Sequence, residues 1–139
     1  MRVKIKLVSG GKLPEYKTKG ASCCDCYARE GRVLYPHNRA VIPLGFCLEL
    51  PEGYEAQIRP RSGLSKKGID SILGTIDSDY RGEVCAIIVN TLDKAIYIED
   101  GERVCQMKIA KSPQVDFELC EELEASERGA NGFGSTGEK

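Results

Sequence analysis

Alternation of apolar and polar residues with a period of two is the feature that most constrains this fold. In the stretch RVKIKL, Val3, Ile5 and Leu7 share one side of an extended chain, with basic residues on the other. The stretches YEAQIRPR and RVCQMKIA alternate in the same way, the latter with Cys105, Met107 and Ile109 expected on one face and Val104, Gln106 and Lys108 on the other. A period of two is typical of half-buried β-strands, so the sequence predicts a protein built from strands.

Two longer stretches, AVIPLGFCLEL and EVCAIIVN, are apolar on both faces of an extended chain. Such strands belong inside a sandwich, or between a sheet and a partner chain. Turn-forming residues such as Gly10-Gly11 and Asp100-Gly101 separate the strands at short intervals. Helical signal is confined to SGLSKKG and CEELEASERG, each long enough for one short turn. We therefore expect an all-β protein, a sandwich or jelly roll.

The charge balance argues against a nucleic-acid-binding surface. The 139 residues, which fit one domain, carry 20 Lys and Arg against 21 Asp and Glu, a net charge of −1. Nucleic-acid surfaces need a basic excess, whereas a small anion needs only a few Arg side chains and backbone N–H groups. The charged start MRVKIKLVSGG lacks the apolar region of a signal peptide, and no run approaches the ~18 apolar residues of a membrane span. We expect a cytoplasmic protein that binds neither nucleic acid nor membrane.

The seven cysteines do not form a pattern typical of disulfides or zinc. Their number is odd, and nothing in the sequence indicates an oxidising compartment. The CCDC stretch at 23–26 has no second Cys or His pair at zinc spacing, and His37 is the single histidine. We expect most of the cysteines to pack as small apolar residues.

The C-terminal stretch RGANGFGSTGEK combines glycines with anion-binding side chains. Its backbone can bend and present N–H groups, and the set suited to a phosphate clamp is Arg128, Gly129, Gly132, Gly134, Ser135, Thr136 and Gly137. Phe133 lies between two glycines, where its ring is able to stack on a base. The alternative is a disordered tail with an incidental phenylalanine.

Three shorter stretches carry further candidates. In RPRSGLSKKG, either Arg61, Ser62 and local N–H groups bind phosphate oxygens, or Ser62 is a helix N-cap. In GTIDSDYRGEV, Asp77 is placed to activate water and Tyr80 to pack on a sugar. Asp79 is expected to be a turn residue. Asp25 in CCDCYA is either a water-mediated Mg²⁺ contact or a turn residue at a strand end.

Together these stretches resemble the ordered motifs of the trimeric dUTPase family. The matching segments are ASCCDCYA, RPRSGLSKKGI, GTIDSDYRGEV, GERVCQM and RGANGFGSTG, which span residues 21–137 in the family's order. The resemblance implies a β jelly roll assembled as a homotrimer, with each active site built from three chains. It implies a catalytic domain over residues 1–127, and a flexible arm over 128–139 that closes over a neighbouring subunit's site.

The resemblance also implies a reaction and a role for each residue. Asp77 deprotonates the water that attacks the α-phosphorus of dUTP, giving dUMP and pyrophosphate, and Tyr80 stacks under the deoxyribose and excludes a ribose. The residues implied to bind the phosphate chain are Arg61, Ser62, Gly63 and Gln106. Asp25 contacts a hydrated Mg²⁺. In the arm, Phe133 covers the uracil, and the residues implied at the γ-phosphate are Arg128, Gly134, Ser135 and Thr136.

The segment IDSILGTI, read as a hairpin between motifs, is implied to recognise uracil through backbone groups, chiefly at Gly74, with Ser71 and Leu73 as further candidates. The family's role is to limit dUTP and supply dUMP for thymidylate synthesis. Two alternatives stay open: a dCTP deaminase, which resembles this fold, and a non-catalytic relative that binds nucleotide or regulates a partner.

Overall fold

The computed structural model describes residues 1–134 and 137, and it is almost entirely β-structure, as the alternation predicts. The described part contains one helix, α1, of four residues. The elements in chain order are β1 (Lys4–Leu7), β2 (Cys24–Tyr27), β3 (Arg32–Leu34), β4 (Arg39–Pro43), β5 (Phe46–Glu49), β6 (Tyr54–Arg59), α1 (Ser62–Ser65), β7 (Ile69–Ser71), β8 (Gly74–Ile76), β9 (Cys85–Asn90), β10 (Ile96–Ile98) and β11 (Arg103–Lys111).

The strands form two larger sheets and two strand pairs. The larger sheets have the orders β2-β11-β6-β8 and β4-β9-β7, and the pairs are β1-β5 and β10-β3. Every pairing is antiparallel. Ile58 from the first larger sheet and Ile88 from the second belong to one continuous buried core. This sandwich confirms the predicted all-β, jelly-roll class of fold.

The two apolar faces of strand β9 have different environments. Ala86, Ile88 and Asn90 are buried, while Ile87 is 39% exposed on the opposite face. Its cross-strand partner Val41 on β4 is 52% exposed. One face therefore fills the core, and the other leaves an apolar stripe on the surface of a single chain.

Strand β11 departs from simple alternation at its start. Its pairing with β2 shifts register between Arg103 and Cys105, so Val104 is an extra residue in a β-bulge. Val104 and Cys105 are both buried. The expected placement of Val104 on the same face as Gln106 is therefore wrong, because the bulge interrupts the period of two.

The two helical turns expected from sequence have different outcomes. The turn in SGLSKKG is confirmed as α1, but its N-cap position falls on Arg61 and has no side-chain cap hydrogen bond. The N-cap interpretation of Ser62 is therefore wrong. The turn expected in CEELEASERG is also wrong, since residues 120–129 contain no helix and are exposed throughout. A single turn that packs on nothing is not stable by itself.

The segment after β11 lies outside the core. Residues 113–131 contain no strand or helix and are exposed. Val115, Phe117 and Leu119 alternate with polar residues and are 65%, 96% and 100% exposed. The stretch without core packing thus begins before Arg128, and the division into a domain over 1–127 and an arm over 128–139 stays a prediction.

The cysteines lie mainly in or near the core. All seven are free thiols, and Cys24, Cys26 and Cys105 are buried. Cys26 faces Cys105 across the β2–β11 pair. Hydrogen bonding to Cys105 and Cys24, together with burial, raises the pKa of the Cys26 thiol far above its usual range. Within the described residues, no helix has the length and apolar character needed to cross a membrane.

Candidate active site

Asp25 lies at the centre of a cluster of charged side chains. Its Oδ1 atom is 3.4 Å from Nε of Arg61, and its Oδ2 atom accepts a hydrogen bond of 3.1 Å from Nη1 of Arg103. The Asp25 side chain is only 14% exposed. Arg61 also donates to the backbone carbonyl of Arg103, at 2.9 Å. Two guanidinium groups therefore surround one carboxylate and leave a net positive charge.

Gln106 joins this cluster because β11 lies between β2 and β6. It is the register partner of Asp25 on one side and of Arg59 on the other. Its Nε2 atom donates to the carbonyl of Pro60, at 2.8 Å. The primary amide has a second N–H, which remains available for an acceptor such as a phosphate oxygen. We name Asp25, Arg61, Arg103 and Gln106 the arginine cluster.

The bulge in β11 is what places Arg103 in this cluster. Arg103 is the register partner of Tyr27, and Gln106 of Asp25, so both side chains share the outward face of β2. In a regular strand without a bulge, positions 103 and 106, which are three residues apart, would point to opposite faces. β-Bulges are frequent beside active sites for this reason.

Ser62 and Gly63 follow Arg61 at the start of α1. Both residues are exposed. A Cβ atom added to Gly63 would meet nothing within 4 Å. The fold of one chain therefore gives no steric reason for glycine at this position, and the backbone is open to close approach by a ligand.

The arginine cluster has the chemistry of a Mg²⁺–phosphate site with one protein carboxylate. Within the described residues, no group of three or more His, Cys, Asp or Glu side chains is arranged to hold a metal directly. Mg²⁺ retains several waters and often takes one or two carboxylates plus substrate phosphates. Because both Asp25 oxygens already face guanidinium groups, a contact through water fits better than direct ligation.

Asp77 and Tyr80 lie in a second place, on the loop between β8 and β9. Asp77 directly follows β8 and is exposed. The loop is braced by Arg81, whose Nη1 atom donates to the carbonyls of Ser78 at 2.7 Å and Tyr80 at 3.2 Å. Asp79 lies in a turn, as expected, in which the Tyr80 N–H donates to the Asp77 carbonyl at 3.2 Å, although within residues 1–134 the Asp79 carboxylate itself makes no hydrogen bond.

Asp77 borders an open cleft with a volume of about 750 Å³. The lining residues are Leu50, Glu52, Gly53, Tyr54, Glu55, Asp77, Ser78, Asp79, Arg81, Ser112 and Gln114. The cleft does not include Asp25, Arg61 or Gln106. The predicted general base and the arginine cluster are therefore in separate places on one chain.

The distance between Asp77 and Arg61 can be estimated along strand β6. Ile76 is the register partner of Ala56, so Asp77 lies at the level of the residue before Ala56. Arg61 is six residues beyond that level, which at about 3.3 Å per residue places the backbone positions of Asp77 and Arg61 roughly 20 Å apart. An aspartate and one phosphate group held by Arg61 in the same chain are too far apart to react.

Gly74 is the first residue of β8 and the register partner of Ile58. β7 pairs with β9 and β8 pairs with β6, so the IDSILGTI segment crosses between two sheets and is not a paired hairpin. Leu73, at the crossing, is 61% exposed, whereas Ser71 is 6% exposed. The hairpin expectation is wrong because each strand finds its partner in a different sheet.

The arm residues lie apart from both places. Arg128 Nε donates to the carbonyl of Asn131 at 2.8 Å, and the Phe133 side chain is fully exposed. Gly129 and Gly134 have positive φ angles of 55° and 80°. Ser135 and Thr136 lie outside the described residues. The described part of the arm therefore contacts neither the arginine cluster nor Asp77.

Two arginines were not identified as site residues from sequence alone. Arg103 contacts Asp25, and Arg81 braces the Asp77–Tyr80 loop. Both fall inside the quoted stretches GERVCQM and GTIDSDYRGEV. Their presence in motifs was a signal, but their contacts depend on the bulge and on the loop conformation.

Comparisons with known proteins agree with this picture. A family model described as dUTPase matches residues 10–137. The deoxyuridine 5'-triphosphate nucleotidohydrolase of Bdellovibrio bacteriovorus is 48% identical over 144 residues, which cover 99% of this chain and 97% of that protein. These matches confirm the resemblance found in the motifs.

Solved structures give the same fold. The dUTPase of Staphylococcus bacteriophage 80alpha, solved with dUPNHPP, has a TM-score of 0.92 and 30% identity, covering 98% of each chain. A mutant dUTPase from phage phi11 of S. aureus, described with a structural Mg(II) ion, has a TM-score of 0.85 and 23% identity, covering 90% of this chain and 100% of that one. The second likeness concerns the fold alone.

Proposed function

Because the chain belongs to the dUTPase family, an enzyme family, we propose that it hydrolyses dUTP to dUMP and pyrophosphate. The observation that carries the proposal is the convergence of Asp25, Arg61 and Gln106, from three separate motifs, in one cluster of net positive charge. Such a cluster suits a polyphosphate, since phosphoryl transfer depends mainly on positioning and charge neutralisation.

In this proposal the phosphate chain binds along the arginine cluster. Arg61 and the second N–H of Gln106 donate to phosphate oxygens, and Ser62 adds its hydroxyl. The open backbone at Gly63 supports this role, because a phosphate is able to approach its N–H without meeting a side chain. Arg103 holds Asp25 and limits repulsion between that carboxylate and the phosphates.

Mg²⁺ is the proposed cofactor, contacted by Asp25 through water. When bound, it neutralises charge on the phosphate oxygens. The phi11 enzyme is described with a structural Mg(II) ion, and this is a property of that protein. For this chain the argument rests on Asp25, a single carboxylate between two guanidinium groups.

Asp77 is the proposed general base. It accepts a proton from a water molecule whose oxygen attacks the α-phosphorus. The bond from the α-phosphorus to the oxygen bridging to the β-phosphorus breaks, and its electron pair leaves with pyrophosphate. Exposure of Asp77 beside an open cleft supports this role, since both water and substrate have access to it.

Tyr80 is proposed to recognise the sugar. Its side chain is 45% exposed and belongs to the same loop as Asp77, three positions later. A ring packed under a deoxyribose leaves no room for a 2′-hydroxyl, which excludes UTP. Uracil is proposed to bind backbone groups near Gly74, one strand length from Asp77.

The C-terminal arm is proposed to close over the occupied site. Phe133 covers the uracil, and Arg128, Gly134, Ser135 and Thr136 bind the γ-phosphate. The full exposure of Phe133 supports a lid, because the ring has no packing of its own in one chain. Closure of such a segment excludes water and completes the site.

Shared active sites in a homotrimer are the proposed assembly. The separation of roughly 20 Å between Asp77 and Arg61 leaves neither half with a complete site, so a second chain supplies the missing half. The apolar stripe containing Val41 and Ile87 offers a surface for that chain, as do the exposed Val115, Phe117 and Leu119.

The proposed role is to keep dUTP low and to supply dUMP for thymidylate synthesis. We propose that it acts in the cytoplasm, where nucleotides are available, with dUTP and other copies of the chain as its partners and without nucleic acid or membrane.

The first test measures the release of pyrophosphate from dUTP by the purified protein in the presence of Mg²⁺. UTP, dTTP and dCTP are tested in parallel as alternative substrates. Release from dUTP alone supports the reaction and its specificity. An Asp77→Asn variant should bind dUTP with little change by calorimetry, but lose at least about 100-fold in kcat. Ammonia release from dCTP would indicate a deaminase. Binding of dUTP without turnover would indicate a non-catalytic relative.

A further inference from the structure

Glu83, at the start of the chain leading into β9, is held from two sides. Nε and Nη2 of Arg29 donate to its two carboxylate oxygens, at 2.8 and 3.3 Å. The Gly45 N–H donates to the same carboxylate at 3.0 Å. The Arg29 and Glu83 side chains are only 26% and 24% exposed. Hydrogen bonding to Glu83 also raises the pKa of the Arg29 guanidinium.

The backbone of Glu83 in turn holds Tyr80. The Tyr80 hydroxyl donates to the Glu83 carbonyl at 3.1 Å. The ring lies against Gly82 so closely that an added Cβ there would be 2.5 Å from its Cζ atom. The next residue, Val84, is fully buried, and its backbone exchanges hydrogen bonds with Leu44 and Phe46. The ring is thus held at its hydroxyl by Glu83 and at its edge by Gly82, while the residue remains 45% exposed.

We propose that Arg29 and Glu83 are a positioning pair that sets the Tyr80 ring, and through it the discrimination between deoxyribose and ribose. This proposal rests on the proposed dUTP hydrolysis. Arg29 lies just after β2 and Glu83 just before β9, so the ion pair ties the Tyr80 loop to the segment that leaves the other larger sheet at the end of β2. A loop tied at this point has less freedom to move its ring away from the sugar.

The geometry differs from that of the other ion pairs at the surface. Lys4 and Glu49 also link two strands, at 2.9 Å, but through one hydrogen bond and with side chains 80% and 49% exposed. Exposed pairs of this kind have little influence on structure. Arg29 and Glu83 form a two-point contact, which fixes direction as well as distance.

The experiment compares Glu83→Gln and Arg29→Lys with wild type, and uses Glu49→Gln as the matched control. The readout is the ratio of kcat/KM for dUTP to that for UTP. Glu83→Gln and Arg29→Lys should lower this ratio about threefold to tenfold, with Arg29→Lys retaining more of it. Glu49→Gln should leave it unchanged. A ratio within twofold of wild type in both variants, or an equal fall in the control, overturns the proposal.

Hydrogen exchange of the unliganded protein gives a second readout that needs no turnover. The peptide covering residues 77–83 should exchange faster in Glu83→Gln and Arg29→Lys than in wild type or Glu49→Gln, with peptides from β6 unchanged. Unchanged exchange over 77–83 overturns the positioning role. If wild-type protein does not hydrolyse dUTP, the proposed function fails, while exchange together with binding of dUMP against UMP still decides the positioning proposal.

Discussion

The separation of Asp77 from the arginine cluster predicts that two inactive variants restore each other's activity. One variant is Asp77→Asn, which loses the proposed base. The other is Arg61→Gln, which loses a proposed phosphate ligand and a partner of Asp25. With the two positions roughly 20 Å apart in one chain, a site built from two chains takes one group from each.

The size of the effect follows from random assembly of the two variants in equal amounts. A site is intact when its first chain carries wild-type Asp77 and its second carries wild-type Arg61. Each condition holds with a probability of one half, so about one quarter of the sites are intact in a closed ring of three chains. The randomly assembled population of trimers should then show about 25% of wild-type kcat per site, against almost none for each variant alone.

The assay is co-expression of the two variants with different tags, sequential purification of mixed trimers, and measurement of pyrophosphate release. Selecting trimers that carry both tags raises the expected value to about one third, because all-one-variant trimers are removed. As a control, chains carrying both substitutions are mixed with chains carrying neither. Activity of mixed Asp77→Asn and Arg61→Gln trimers no greater than that of the separate variants would refute sites shared between chains.

Three further predictions concern the arm, the thiols and the core. Removal of residues 128–139 should lower kcat at least about 100-fold and leave the melting temperature unchanged; an unchanged kcat contradicts a closing lid. Ellman's reagent at pH 8 should label the exposed Cys120 at once, but Cys26 only when the protein unfolds, because hydrogen bonding and burial raise the pKa of the Cys26 thiol. The Cys120→Ser variant is the control. Rapid labelling of Cys26 in the folded protein would contradict its burial. Ile88→Ala should lower the free energy of unfolding, measured by urea titration, by about 2–5 kcal/mol. A decrease of less than about 1 kcal/mol would contradict the core position of Ile88.

The sequence predicted the class of fold because alternation and burial are local properties. Ala56 and Ile58 on β6 are buried as their period of two requires. Local patterns failed where a distant partner decided the outcome. The bulge at Val104 depends on pairing with β2, and the separation of β7 from β8 depends on β9 and β6.

The residues of the candidate site, like the fold, were predicted from the sequence only in part. Motif order identified Asp25, Arg61 and Gln106 as candidates, and the structure brings these three together. The sequence carried no information on which motifs meet within one chain. It also gave no signal for the contact of Arg29 with Glu83, since these residues are 54 positions apart and only the packing of the sheets brings them into contact.

The bulge at Val104 has a consequence for how this chain tolerates change. Along an ordinary strand, each residue inserted or deleted turns every later side chain to the opposite face. Here the extra residue lets β11 send Val104 and Cys105 into the core while Arg103 and Gln106 both reach the same surface. Deletion of Val104 would instead leave Arg103 and Gln106 two residues apart and still on one face, opposite Tyr27 and Asp25, so the strand would keep its inside and outside and lose one buried side chain. A deletion beyond the bulge, between Gln106 and Lys111, would by contrast reverse the faces of the residues on one side of it, so the length of β11 is under tighter constraint there than at Val104.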